Sequence, residues 1–367
     1  MASFFMMRSS ASSFSCSIFL SFVLLSFCAV SRGQSSVPGM YVFGDSLVDV
    51  GNNNYLELSI IKADFPYNGI DYPGGQATGR FSNGKNAADF LAEKVGLASA
   101  PPYLGQPNGV FVKGVSFASG GAGIFNTTDE SLIKHTIPLP HQLGHFSTVR
   151  QRLAKELGSH LEDHLSKSLF PVVIGSNDII NYFNTGSDAS QKYSPQEYVT
   201  LMVSNFKELL KGMYGLGARK FIVTGIALIG CAPKVRYPTP TGECNKDVNY
   251  WAKKYNDELT LMLHELKSEL KEFQYSYFDT YGVFTEFIQN PATYGFNDTK
   301  SACCGLGKLR AKFPCTPLSL FCSDRSDHLF WDVYHPTEAA ARIFIDVLWR
   351  GSGNYTFPMT VEELIAI

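Results

Sequence analysis

Five short runs of β-branched and aromatic residues punctuate the chain: MYVF at 40–43, GVSFA at 114–118, FPVVIG at 170–175, KFIVTGI at 220–226 and YSYFDT at 275–280. They are near-continuous apolar stretches, the pattern of strands buried on both faces. Between them lie helical patterns, GKNAADFLAEKVG from Gly84 and SPQEYVTLMVSNFKELLKGMYGLG from Ser194, each closing on a glycine. This β-α-β-α order predicts a parallel sheet of about five strands with helices on both faces, a three-layer α/β/α fold. Ligands of such sheets collect beyond the carboxyl ends of the strands.

That rule singles out the polar turns. The first strand ends in GDS with Ser46, the second in SGGAG with Gly120 and Gly121, and the third in GSND with Asn177. All three would face one cleft. Near the C-terminus, DVYHPTEAAARIFIDVLW places Asp332 and His335 three residues apart, ahead of a helix that Pro336 is suited to start. Ester hydrolysis through a covalent intermediate needs a hydroxyl nucleophile, a base, a carboxylate to fix the base's tautomer and donors for an oxyanion. Ser46, His335 and Asp332 fit the first three roles. The Ser46 amide, the Gly120 amide and the Asn177 side chain fit the last. A helix is expected to follow Ser46 and to favour negative charge there, with the asparagine run 52–54 at its start.

These blocks resemble those of the GDSL lipolytic enzymes within the SGNH hydrolase superfamily, above all its secreted plant-type group: FGDSLVDVGNN (Ser46), GVSFASGGAGI (Gly120), VIGSNDI (Asn177) and WDVYHPT (Asp332, His335). GRFSNGK from Gly79, IGCAP from Ile229 and ACCG from Ala302 look like signatures of the same group. The resemblance implies a flavodoxin-like sheet, export, and hydrolysis of carboxylic esters (lipid acyl, cell-wall or small-molecule) through an acyl-enzyme on Ser46, with no cofactor. Acyl transfer from the same intermediate and an extracellular binding protein that has lost the chemistry are the alternatives.

Composition fits this picture. With 367 residues, 45% hydrophobic, and a formal net charge of −2, the chain can bury a large core and carries no field suited to nucleic acid. Arg8 precedes an apolar stretch from Ile18 to Val30 and small or polar residues from Ser31 to Ser35, the layout of a secretory signal peptide. Residues 1–33 are therefore expected to be cleaved, leaving 34–367 as one extracellular hydrolase domain without a membrane-spanning segment. Cleavage removes Cys16 and Cys28 and leaves Cys231, Cys244, Cys303, Cys304, Cys315 and Cys322. An even count in an exported chain points to disulfides, with Cys231–Cys244 the expected pair and no bond between the neighbours Cys303 and Cys304. Export also gives meaning to the sequons at Asn126, Asn297 and Asn354, which should lie at the surface.

Other patterns are weaker. GVSFA nearly makes a nucleophile elbow, but Ser116 falls inside a strand. Ser82 or Asn83 is expected to cap a helix. His141 with His145, and His160 with His164, have i,i+4 spacing without a third ligand, which favours solvated helix faces over a metal site. Asp327 and His328, as chain neighbours, are expected to point apart.

Overall fold

A computed structural model describes Met1 and residues 37–128, 135–351 and 354–367. The expected leader lies outside these residues, apart from Met1. Each of the five apolar runs forms a strand: β1 (Met40–Gly44), β2 (Gly114–Ser116), β3 (Leu169–Val173), β4 (Lys220–Thr224) and β5 (Gln274–Phe278). All are parallel, in the order β5-β4-β3-β1-β2, and Thr356–Phe357 adds an antiparallel edge beside β5. The chain leaves β1 for β2 on one side and reaches β3 on the other. The strand order thus reverses at β1, the position where open α/β sheets form their crevice.

Helices cover both faces. On one pack α2 (Leu139–Leu157), α4 (Pro195–Gly215) and α5 (Lys246–Glu269), against a core that includes Phe43, Phe117, Phe146, Phe170 and Phe221. Between α2 and α4 in the chain, α3 (Ser176–Phe183) follows β3 directly. On the other face lie α1 (Ala87–Lys94) and α6 (Glu338–Arg350), packed with Val42, Leu169, Ile222 and Phe278. Successive strand residues divide between the two cores, Phe170 and Val172 to one and Leu169 to the other, because side chains alternate across a pleat. That double burial explains why the strands read as unbroken apolar runs.

Helix starts follow local chemistry. Ser194 accepts from the Glu197 N–H and Glu197 answers at the Ser194 N–H, a capping box for α4. For α1 the capping residue is Asn86, paired the same way with Asp89, and not Ser82 or Asn83. Asn83 instead accepts from the Glu338 N–H at the first turn of α6, so the GRFSNGK segment reaches across to that helix.

A satellite cluster stands beside the sheet. Cys303–Cys322 and Cys304–Cys315 staple the segment ahead of α6, and Cys231–Cys244 closes a third loop as expected. The four stapling cysteines pack around the fully buried Trp331, whose indole N–H donates to Asn68 Oδ1 at 2.9 Å. No helix among the described residues is long and apolar enough to cross a membrane.

Candidate active site

β1 delivers Ser46 to the crevice through a close backbone approach. Gly44 has φ +150°, and a Cβ there would lie 2.3 Å from the Val173 carbonyl oxygen, so only glycine lets the end of β1 lie this close to β3. Gln142 on α2 clamps the same residue, accepting from its N–H at 2.9 Å and donating to its carbonyl at 2.8 Å. Beyond Gly44 the chain makes a turn, closed by the Val48 and Asp49 N–H groups on the Asp45 carbonyl. No α-helix follows Ser46; the asparagines form a single 3-10 turn at Asn52–Tyr55. The expected helix dipole is therefore absent, and any charge on oxygen here must be met by individual N–H groups.

The imidazole arrives from the far end of the chain. His335 Nε2 lies 2.7 Å from Ser46 Oγ, and Nδ1 faces both Asp332 oxygens at 2.8 Å. Asp332 Oδ1 also accepts the Tyr334 and His335 N–H groups at 2.9 and 2.8 Å. A carboxylate at Nδ1 favours the tautomer with its proton on that nitrogen, which leaves the Nε2 lone pair toward the hydroxyl. His335 precedes the helix rather than starting it. Thr337 is the cap of α6, accepting from the Ala340 N–H, and Pro336 lies outside the helix. The Phe81 ring packs on the imidazole at 5.0 Å between centroids.

The glycine turn departs from expectation. The Gly120 N–H donates to Asp49 Oδ2 at 3.0 Å, so this amide is already committed. Its neighbour Gly121, at φ +80°, lines the cleft, and among the described residues neither its N–H nor that of Ser46 has an acceptor. Two clamps flank Gly121. On one side Asp49 also accepts from the Gly51 and Asn52 amides, while Asn53 donates to the Gly120 carbonyl and Asn52 to the carbonyls of Ser116 and Ala118. On the other, Asp178 accepts from the Ile124 N–H and the Thr128 hydroxyl, and Asn177 Nδ2 donates to the Ala122 carbonyl at 2.9 Å. Asn177 sits in the first turn of α3 and keeps its second amide hydrogen for the cleft it lines. Sequence reasoning placed Gly121 in this turn but gave the donor role to Gly120, and it missed Asp49, Asn52, Asn53 and Asp178. Their signal was polar residues placed where the chain must be buried.

Three carboxyls are pushed up by this burial: Asp45 to about 7, Asp49 to about 6 and Asp178 to about 6. Loss of water raises each, and backbone N–H groups pull each part of the way back. A cavity of about 350 Å³ opens at Ser46, Asn177 and His335.

The remaining sequence patterns fall elsewhere. His164 meets the Tyr41 hydroxyl at 3.2 Å and His145 stacks on Tyr103, while His141 and His160 are exposed. Among the described residues no group of three or more His, Cys, Asp or Glu is placed to hold a metal. Asp327 and His328 do not point apart: Asp327 Oδ1 meets His328 Nδ1 at 2.5 Å, with Asp327 just ahead of the strand 328–330 and so outside its alternation. Ser116 is buried in β2, as expected. Asn126, Asn297 and Asn354 are all exposed, Asn297 with its Nδ2 donating to Asp327.

A family model for GDSL-like lipase/acylhydrolases matches residues 40–348. A GDSL esterase/lipase of Arabidopsis thaliana is 49% identical over 92% of both chains. Another from the same plant is 40% identical over 92% of this chain and 93% of its own. Among solved structures, a catalytic mutant of an acetylxylan esterase from Geobacillus stearothermophilus aligns with 84% of this chain and 90% of that one, at 13% identity and a TM-score of 0.36.

Proposed function

The chain belongs to the GDSL-like lipase/acylhydrolase family and is a carboxylic ester hydrolase, and on that premise we propose that Ser46, His335 and Asp332 carry its reaction. The observation behind this assignment is the unbroken line from hydroxyl to imidazole to carboxylate, at 2.7 and 2.8 Å. His335 Nε2 takes the proton as Ser46 Oγ attacks the ester carbonyl, and Asp332 stabilises the imidazolium that results. The carbonyl oxygen becomes an anion met by the Ser46 and Gly121 amides and the Asn177 side chain, each donor contributing about 10²- to 10³-fold in turnover. Collapse breaks the ester C–O bond, and the alcohol leaves with the proton from His335. Water then repeats the sequence on the acyl-enzyme and frees the acid.

A silent binding role is not favoured, because every group that hydrolysis needs is present and aligned, and acyl transfer is not favoured because the similar proteins are esterases and lipases. Residues 1–33 acting as a secretory leader, with 34–367 released as one extracellular domain, belong to the same reading. Three disulfides support it, since such bonds persist in oxidising compartments. The exposed Asn126, Asn297 and Asn354 are its glycan acceptors.

A fluorophosphonate probe followed by mass spectrometry tests the assignment. Label on Ser46 that disappears in His335→Ala is the expected result. Label on another residue, or undiminished labelling of the variant, overturns it.

A further inference from the structure

The cavity that opens at Ser46 does not stay at the surface. It continues into the layer between the sheet and the α1/α6 pair. On the sheet side it follows the strands inward from Val173 and Thr224 to Pro171 and Ile222, two residues further from the carboxyl edge. On α6 its wall runs from Ala341, in the turn nearest His335, to Leu348, seven residues or about 10 Å along the axis. The sequence creates this space. The helix faces that meet the sheet carry alanines at 88 and 341, both buried and both lining the cavity together with Pro171 of β3. Large side chains at those positions would close the gap between the layers.

Interiors pack to crystal density, and an apolar void of this size loses many contacts. Apolar cavities stay dry and bind apolar guests. An apolar chamber is therefore a poor host for water or for a sugar, whose hydroxyls would lose hydrogen bonds there.

Resting on the serine assignment above, we propose that this chamber holds the acyl chain of the ester, a flexible medium-length aliphatic chain, and that Ala88 and Ala341 set the length it accepts. With the carbonyl at Ser46, the chain runs inward between the layers while the alcohol portion stays at the mouth. Each methylene that finds room raises kcat/KM by about fourfold until the chamber is full, so hexanoate and octanoate esters outrun acetate by orders of magnitude.

p-Nitrophenyl esters from acetate to hexadecanoate, assayed with the full chain and with Ala88→Phe and Ala341→Phe, test this. Both variants should keep fluorophosphonate label on Ser46 and shift the octanoate-to-acetate ratio of kcat/KM toward acetate by about tenfold or more. Variants that label normally and keep the parent's chain-length profile overturn the chamber and leave the serine assignment standing. Absence of label on Ser46 in the parent protein overturns the serine assignment instead. A second readout is independent of turnover: calorimetric binding of dodecanoate to Ser46→Ala, expected to vanish when Ala88→Phe is added. Equal binding by both proteins contradicts the proposal.

Discussion

The two walls of the cleft are built by different physics. The wall that carries Ser46, Gly121 and Asn177 stands on the carboxyl ends of parallel strands, with Phe43 and Val172 buried beneath it. Its loops are tied by neutral side chains and buried carboxylates reaching backbone amides. The wall that carries Asp332 and His335 has no long strand under it. Only the short strand 328–330, two disulfides and Trp331 precede the loop, and α6 follows it. The first wall rests on strand ends whose loops are tied by side-chain hydrogen bonds, whereas the second adds covalent staples around Trp331 to the packing of Leu329, Phe330 and α6 against the sheet. Small clusters bury too little apolar surface to hold a geometry alone, and cross-links are the usual remedy.

Variants at the point where the walls meet should have the largest effect. Ser46→Ala is expected to lower kcat by about 10⁵-fold, and Asp332→Asn by about 10³- to 10⁴-fold through the wrong imidazole tautomer. Steady-state assays on one p-nitrophenyl ester check both, and losses under tenfold would remove these residues from the reaction.

Cutting the staples should separate the walls. Cys303→Ser with Cys322→Ser opens a loop of 19 residues, which costs about 3 kcal/mol of stability. Thermal melts should show the loss, and activity should fade at temperatures where the far-ultraviolet signal of the sheet and helices persists. Simultaneous loss of both signals would show that the packing of Leu329, Phe330 and α6 against the sheet, and not the staples, holds the second wall.

On the strand-end wall, Asp49→Ala leaves the amides of Gly51, Asn52 and Gly120 without their acceptor. We expect kcat to fall by about 10²-fold with KM little changed, since small displacements of a positioned donor act on turnover. A change confined to KM would show that the clamp serves substrate binding.

The smallest effect concerns the buried carboxyl beside the nucleophile. Asp45 is raised from 3.8 to about 7, so it contributes stability that is fully present below its ordinary value and lost as pH rises through about 7. Asp45→Asn removes that loss. The variant should therefore gain on the parent protein in melting temperature between about pH 4 and pH 7, with the difference level above that. A constant difference across this range would contradict the burial assigned to Asp45.

How much of this was legible beforehand follows from the same contrast. The five parallel strands were readable because burial on both faces leaves an unbroken apolar run. Ser46, Asn177, Asp332 and His335 were readable because each sits at a strand end or a helix approach; the structure brings Ser46, Asn177 and His335 to one crevice, with Asp332 behind the imidazole. The two-residue edge strand and the short pairings of the stapled segment were not, since two or three residues carry no period. Gly120 and Gly121 are indistinguishable in a linear string. Only the fold shows which amide Asp49 has taken. The helix expected after Ser46 failed because Asn52 and Asn53 turn their side chains to the backbone of the neighbouring loop, where such residues compete with helix formation.

A crystal structure of the protein with a phosphonate bonded to Ser46 tests the central claim most directly, because the phosphonyl oxygen stands where the anion forms. That oxygen is expected within hydrogen-bonding distance of the Ser46 amide, the Gly121 amide and Asn177 Nδ2, with the Gly120 N–H still on Asp49. An oxygen bound by the Gly120 amide, with Asp49 displaced, would contradict it.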